Sequence, residues 1–261
     1  MKYLRIISLV LAFFIFNSFQ TLNESKFYVK TVVIDAGHGG HDPGCNYSNV
    51  NEKDVALAVA LELGRIIQEN LKDVRVLYTR DKDEFIGLKE RAEFANKNGA
   101  NVFISIHCNA NNSTAAFGTE TWVMGLHKSD ANLDVAMKEN AVMKLEEDYQ
   151  TKYEGFDPNS PQAYIIFSLY QNAFLNLSLN LATKVEHDFE TRVSRKSRGV
   201  KQAGFLVLWQ TSMPSILIET GFISNDEERA YLTSKTGQVY IASAIFRAFR
   251  DYKVEIDGSS E

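Results

Sequence analysis

Apolar positions change period along the chain, and each change marks an element. Residues 28–35 are β-branched and apolar and run into Gly37, His38, Gly39 and Gly40, which predicts a strand ending in a tight, glycine-built loop. Residues 52–69 carry Val55, Ala56, Val59, Leu63, Ile66 and Ile67 at helical spacing, with Asn51 placed as N-cap. Further strands are predicted at 74–79, 102–107, 118–124, 204–209 and 215–219. A helix is predicted at 88–97, and a closing helix over 230–249 is broken near Gly237. Trp122 and Trp209 fall in strands and read as core. Strands separated by helices predict an α/β fold with a mostly parallel central sheet flanked by helices.

One stretch breaks this rhythm. Between the strands at 118–124 and 204–209 lie about eighty residues that read almost wholly as helix and linker. A charged amphipathic helix covers 131–152, a break at 153–161 holds Gly155, Pro158 and Pro161, and a second long helix covers 163–192. A plain crossover between parallel strands needs about a dozen residues. The excess predicts a helical insertion, residues 128–195, inside a domain spanning 28–255.

The amino end has a different character. Lys2 and Arg5 precede an almost continuous apolar run at 6–16, too short to span a bilayer comfortably and suited to the core of a secretory signal. Residues 1–22 are the expected signal peptide, with no clean A-x-A site to set its boundary; an uncleaved anchor is the alternative. No later stretch reaches the length of a membrane span, so the mature chain is expected to be soluble and exported, in the periplasm or cell envelope. With 28 basic against 33 acidic side chains the net charge is -5, which argues against a general nucleic-acid footprint. Two cysteines, Cys45 and Cys108, exclude a disulfide-built scaffold.

Candidate chemistry gathers where strands end, the edge at which α/β sheets place ligands. His38 lies just past the first strand and His107 at the end of the strand at 102–107. Glu52 heads the following helix and can turn its carboxylate to the same edge. Two histidines and a carboxylate suit zinc with a fourth position open for water, and Glu219, ending the strand at 215–219, is placed to take that water's proton. Spacing alone leaves this open, because strand-end histidines and acids also arise by chance in α/β proteins. No G-x-x-x-x-G-K-[ST], H-E-x-x-H, G-x-S-x-G or C-x-x-C is present.

The run Val32-Val33-Ile34-Asp35-Ala36-Gly37-His38-Gly39-Gly40-His41-Asp42-Pro43-Gly44 resembles the opening motif of the zinc-dependent N-acetylmuramoyl-L-alanine amidases. Asn51-Glu52-Lys53-Asp54, Ser105-Ile106-His107-Cys108-Asn109-Ala110, and Pro214 through Ile218-Glu219-Thr220-Gly221-Phe222-Ile223-Ser224-Asn225 match in the same order. Arg198-Gly199-Val200-Lys201 before Phe205-Leu206-Val207-Leu208 is also similar. The resemblance implies one zinc ion held by His38, Glu52 and His107, with Glu219 as catalytic base. It further implies peptidoglycan as substrate, cut at the amide between N-acetylmuramic acid and L-alanine, in wall remodelling or daughter-cell separation. Cys45 and Cys108 depart from the family's usual small residue; a disulfide or redox sensitivity is one reading, and packing as small hydrophobes is the favoured one.

The insertion resembles that of the longer, cell-division-type amidases, in which an extra helical element covers the active site until a partner pulls it away. Lys138-Glu139-Asn140 resembles the segment carrying the occluding acid, so Glu139 is the choice for a regulatory ligand, with Glu146 and Glu147 as rivals and solvated charge as the alternative for all three. The apolar side of the second helix (Ile165, Ile166, Leu169, Phe174, Leu177, Leu181) either docks an activator protein or packs on the domain. The basic run Arg192, Arg195, Lys196 and Arg198 either meets the acidic stem peptide or is solvated, and His41, His127 and His187 are given no metal role. Two other functions compete: a zinc peptidase cutting within the stem peptide, and a silent wall-binding or partner module. Retention of Glu219 with all three ligand candidates counts against the second.

Overall fold

The computed structural model describes residues 27–168 and 173–259, so the expected signal peptide, residues 1–22, lies outside the described residues. In chain order the elements are β1 (Thr31–Ala36), β2 (Asn46–Tyr47), β3 (Val50–Asn51), α1 (Glu52–Asn70), β4 (Arg75–Tyr78), α2 (Leu88–Lys97), β5 (Val102–Asn109) and β6 (Thr119–Met124). Between β6 and β7 lie α3 (Asp130–Asn140), a 3-10 turn (Ala141–Leu145), α4 (Tyr149–Lys152), α5 (Pro161–Ser168) and α6 (Leu175–Val193). Then come β7 (Ser197–Ala203), α7 (Leu206–Trp209), β8 (Ser215–Phe222), α8 (Asp226–Thr233) and α9 (Lys235–Ser259).

Six strands form one sheet in the order β4-β1-β5-β8-β6-β7, while β2 and β3 make a separate antiparallel ribbon. The β1–β4, β1–β5, β5–β8 and β6–β7 pairs are parallel, and only β6–β8 is antiparallel. This is the mostly parallel, helix-flanked sheet read from the sequence. Burial on both faces explains the near-continuous apolar runs of β1, β5 and β8.

Side-chain alternation sorts the strands onto two cores. Ile34, Ile104, Ile106, Ile216 and Ile218 pack with α1, α6 and α9 on one face. Val33, Phe103, Trp122 and Leu217 pack on the other, with α2, α7 and the inserted residues Leu133, Ala136 and Met143. By the same period of two, His107 and Glu219 project on the face that the insertion covers. The carboxyl ends of β1 and β5, between which the strand order reverses, therefore meet beneath α3.

Several elements differ from expectation. Residues 204–209 are not a strand: Phe205 leads into α7, and the neighbouring edge strand β7 is formed instead by the polar residues Ser197–Ala203. A short apolar run does not distinguish a buried helical turn from a strand. Trp122 is core in β6, but Trp209 is half-buried at the end of α7. The helix predicted at 131–152 is divided into α3, the 3-10 turn and α4, with Asp148 in the left-handed region at φ 55°. A turn at 173–174 precedes α6, whose Leu181, Val185 and Phe189 belong to the core, so this helix serves as the β6-to-β7 crossover. Leu177 packs partly against that core and Ile165 is exposed, whereas Leu169 and the side chain of Ile166 lie outside the described residues. The closing helix breaks at Ser234, whose Oγ accepts from the Gly237 amide at the start of α9. Asn51 stands at the N-cap of α1 but its side chain caps nothing; it accepts from Asn46 and donates to Asp54.

Candidate metal centre

The loop after β1 is held by two buried arginines. Arg91 Nη1 donates to the Ala36 carbonyl at 2.7 Å and Arg91 Nη2 to the His38 carbonyl at 2.8 Å. Arg80 donates to the carbonyls of Ala36, Gly37 and Lys53. Arg91 is itself paired with buried Asp35, which also accepts from Thr79 and Ser105. Burial pushes the Asp35 carboxyl up, but Arg91 and the two hydroxyls outweigh it and hold the group below its ordinary range. Held in this way, His38 takes a left-handed conformation, φ 58°, uncommon for a residue with a side chain. Gly37 is required by contact: a Cβ there would collide with the His107 ring.

Four side chains converge under this loop. His38 Nε2 lies 3.1 Å from Glu52 Oε1 and 3.2 Å from Glu139 Oε2. His107 Nδ1 lies 3.0 Å from Glu52 Oε1 and 3.2 Å from Glu139 Oε2. All four residues are buried, and one donor atom from each lies within 4.8 Å of every other. Yet His38 Nε2 and both oxygens of Glu139 have no hydrogen-bond partner. Atoms this close without bonding one another face a common centre. For metal–ligand distances near 2.0–2.1 Å, the edge of a tetrahedron is about 3.3 Å, so the donor spacing and donor types fit a zinc-sized cation. Around the cluster, Asp42 Oδ2 lies 2.7 Å from His38 Nδ1, and Glu52 accepts from the amides of Cys45 and Cys108.

Charge in the cluster is mutually dependent. Burial disfavours the His107 imidazolium, but Glu139 and Glu52 outweigh it and lift the ring to about 9. Burial and Glu52 push Glu139 up, while His107 and His38 outweigh them and hold it at about 2. Glu219 is opposite His107 in the β5–β8 register, fully buried, and neither oxygen has a partner. Burial drives its carboxyl well above the ordinary range, and the charges of Glu139 and Glu52 add to that.

Of the three acids considered on the insertion, Glu139 alone reaches the cluster. Glu146 is buried elsewhere, accepting from the Leu88 amide and the Tyr153 hydroxyl, and Glu147 is exposed. His41 stacks on Phe85, His187 is exposed, and neither joins the centre. Cys108 is buried and Cys45 half-buried, both as free thiols. The basic run is largely paired: Arg195 with Glu228 and Arg198 with Glu120. Sequence reasoning gave no role to Asp42, Arg80 or Arg91. Asp42 sat inside the quoted motif, and a polar residue four positions past a ligand histidine was the available signal. The arginines carried none, since burial of a charged residue is decided by tertiary partners.

The Amidase_3 family model, described as N-acetylmuramoyl-L-alanine amidase, matches residues 32–251. The N-acetylmuramoyl-L-alanine amidase AmiA of Escherichia coli is 31% identical over 224 residues, covering 85% of this chain and 76% of that protein. Among solved structures, the N-acetylmuramoyl-L-alanine amidase of Clostridium difficile 630 superposes with a TM-score of 0.64 at 30% identity, covering 87% of this chain and 97% of its own. The CwlD amidase of Clostridioides difficile, solved in complex with the GerS lipoprotein, does so with a TM-score of 0.63 at 26% identity, covering 85% and 98%. With the family matched across nearly all of the described residues, the chain belongs to the N-acetylmuramoyl-L-alanine amidases.

Proposed function

We propose that this peptidoglycan amidase holds one zinc ion through His38, Glu52 and His107, that Glu219 is its catalytic base, and that Glu139 fills the fourth ligand position in the resting molecule. The reading rests on one observation: two imidazoles and two carboxylates converge at 3.0–3.2 Å, with His38 Nε2 and both Glu139 oxygens buried and without hydrogen-bond partners, beside the buried Glu219 carboxylate that also has none. Zinc bound there supplies Lewis-acid polarisation of the muramoyl–alanine amide and acidification of a water. Glu219 accepts a proton from the attacking water at its carboxylate and returns it to the amine nitrogen of L-alanine as the bond breaks. Its burial keeps solvent from competing for that proton.

Glu139 and α3 keep substrate out. The cavity between α3 and the cluster is only about 10 Å³, room for about one water. Asn140 fastens this end of α3, donating to the Gly204 carbonyl at 2.7 Å and the Tyr164 hydroxyl at 3.1 Å and accepting from the Leu206 amide at 2.8 Å. An activator protein that draws α3 away would open the site. The solved complex of CwlD with a lipoprotein shows that a related amidase does bind a protein partner. A signal peptide over 1–22 would deliver the enzyme to its substrate in the periplasm or envelope. Among the described residues no helix is long and apolar enough to cross a membrane.

Metal content and turnover of two variants separate the roles. Glu219→Gln retains zinc and loses turnover by about 10²–10⁴-fold, and His107→Ala loses the zinc itself. Full turnover in the first would require another base; normal zinc content in the second would remove His107 from the ligand set.

A further inference from the structure

Beside the metal centre lies a second, open cavity of about 260 Å³. Its position follows from strand register. Glu120 of β6 stands directly opposite Glu219 of β8, which stands opposite His107 of β5, so the three share one row on one face of the sheet. Lys138, the neighbour of Glu139, closes the other side.

Glu120 is buried, and a single oxygen of it, Oε1, accepts both Arg198 Nε at 2.6 Å and Lys201 Nζ at 2.7 Å. Both cations line the cavity together with Lys138, against the carboxylates of Glu120 and Asp134, so the lining carries one positive charge in excess. Each is also steadied by a ring: Arg198 lies 5.0 Å from the Phe222 centroid and Lys201 5.2 Å from that of Trp122. Arg198 spends only Nε on Glu120, and its two terminal nitrogens bond no other described residue. That leaves a planar donor pair of the kind that matches a carboxylate bidentately. The Arg198 side chain is 33% exposed, enough to receive a ligand without losing its anchor.

We propose that this cavity binds the stem peptide, and that Arg198, supported by Lys201, receives the free carboxylate on the residue that follows L-alanine. The proposal rests on the amidase reading above. Neighbouring strands are about 4.8 Å apart, which puts the strand of Arg198 roughly 10 Å from that of Glu219. An extended peptide advances about 3.3–3.6 Å per residue. With the scissile amide at Glu219, the carboxylate of the second stem residue falls within reach of a long arginine side chain. When that residue is amidated, the position becomes a neutral carboxamide that brings no charge to the fork. The pair is then a specificity determinant, favouring stems with the free acid.

The test uses two tripeptides, L-alanyl-γ-D-glutamyl-L-lysine and its isoglutamine counterpart, both amidated at the carboxyl terminus so that one carboxylate alone distinguishes them. Binding is measured by titration calorimetry on the zinc-loaded chain carrying Asn140→Ala, which loosens α3, because Glu139 covers the cluster and α3 walls the cavity in the resting molecule. The acid form is expected to bind about tenfold more tightly than the amide. Arg198→Gln removes the preference and Arg198→Lys keeps part of it. Should Arg198→Gln fold poorly, Lys201→Gln, which retains the Arg198–Glu120 pair, is expected to narrow the preference. Absence of preference in the opened chain with Arg198 and Lys201 intact, or a preference that survives both Gln substitutions, overturns the proposal. The two readings fail separately. Release of stems beginning at L-alanine without any acid preference removes the subsite alone. An acid preference accompanied by cleavage elsewhere in the stem removes the amidase reading and leaves a site for acidic peptides.

Discussion

Under the proposed reading, Asp42 prepares His38 to bind metal. Asp42 Oδ2 lies 2.7 Å from His38 Nδ1, and in the neutral tautomer whose Nδ1 donates to it the ring would present an unprotonated Nε2 to the cluster. The same carboxylate accepts from the Gly44 amide, which ties the ring's orientation to the glycine loop. A Cβ at Gly44 would meet both His38 and Glu52, so only glycine lets these two side chains approach there. Asp42→Ala is expected to lower zinc affinity by about 10- to 100-fold with the fold intact, read by competition with a chelating dye. Unchanged affinity would show that the loop alone orients His38. At this scale the sequence was informative because metal and acid–base chemistry needs particular residue types, and His38, Glu52, His107 and Glu219 stand at strand and helix ends that meet at one sheet edge. Asp42 was less visible, since a loop aspartate beside proline and glycine is equally at home in a turn.

Among the elements, α3 would carry the regulatory weight under the proposed reading, and Asn140 fastens its end to the Gly204 carbonyl and the Leu206 amide. Replacing Asn140 with Ala leaves the Gly204 carbonyl and the Leu206 amide buried and without that partner, a cost of about 2 kcal/mol. If that cost is borne as loosening of α3, Asn140→Ala raises the basal amidase rate by up to about thirty-fold. A basal rate equal to that of the unmodified chain, in a variant that remains folded, would contradict the role of α3 as a plug. The sequence pointed to an insertion, because eighty helical residues exceed any plain crossover; α6 is that crossover, and α3 to α5 are what precedes it. It did not show where the helix would break. The left-handed turn at Asp148 and the 3-10 turn before it answer to Glu146, which is drawn inward to the Leu88 amide and the Tyr153 hydroxyl. Such long-range hydrogen bonds leave no periodicity. Strand β7 was hidden for a related reason: an edge strand whose Arg198 and Lys201 neutralise a buried Glu120 reads as polar loop, while the apolar run beside it, α7, imitates a strand.

Across the whole molecule, one sheet edge gathers the residues to which the proposed reaction is assigned. The carboxyl ends of β1 and β5 bring His38 and His107, the head of α1 brings Glu52, and β8 brings Glu219, while the insertion between β6 and β7 folds back over them. The open cavity continues the same row toward β7, so bond cleavage and stem recognition would lie side by side on one face. The central claim is that this edge cuts the amide between N-acetylmuramic acid and L-alanine. Mass spectrometry of peptidoglycan digested by the zinc-loaded chain, with and without Asn140→Ala, tests it most directly. Free stem peptides beginning at L-alanine, together with glycan stripped of peptide and a larger yield from the variant, are the predicted products. Shortened stems still attached to sugar would contradict the claim and assign the same metal chemistry to a different bond.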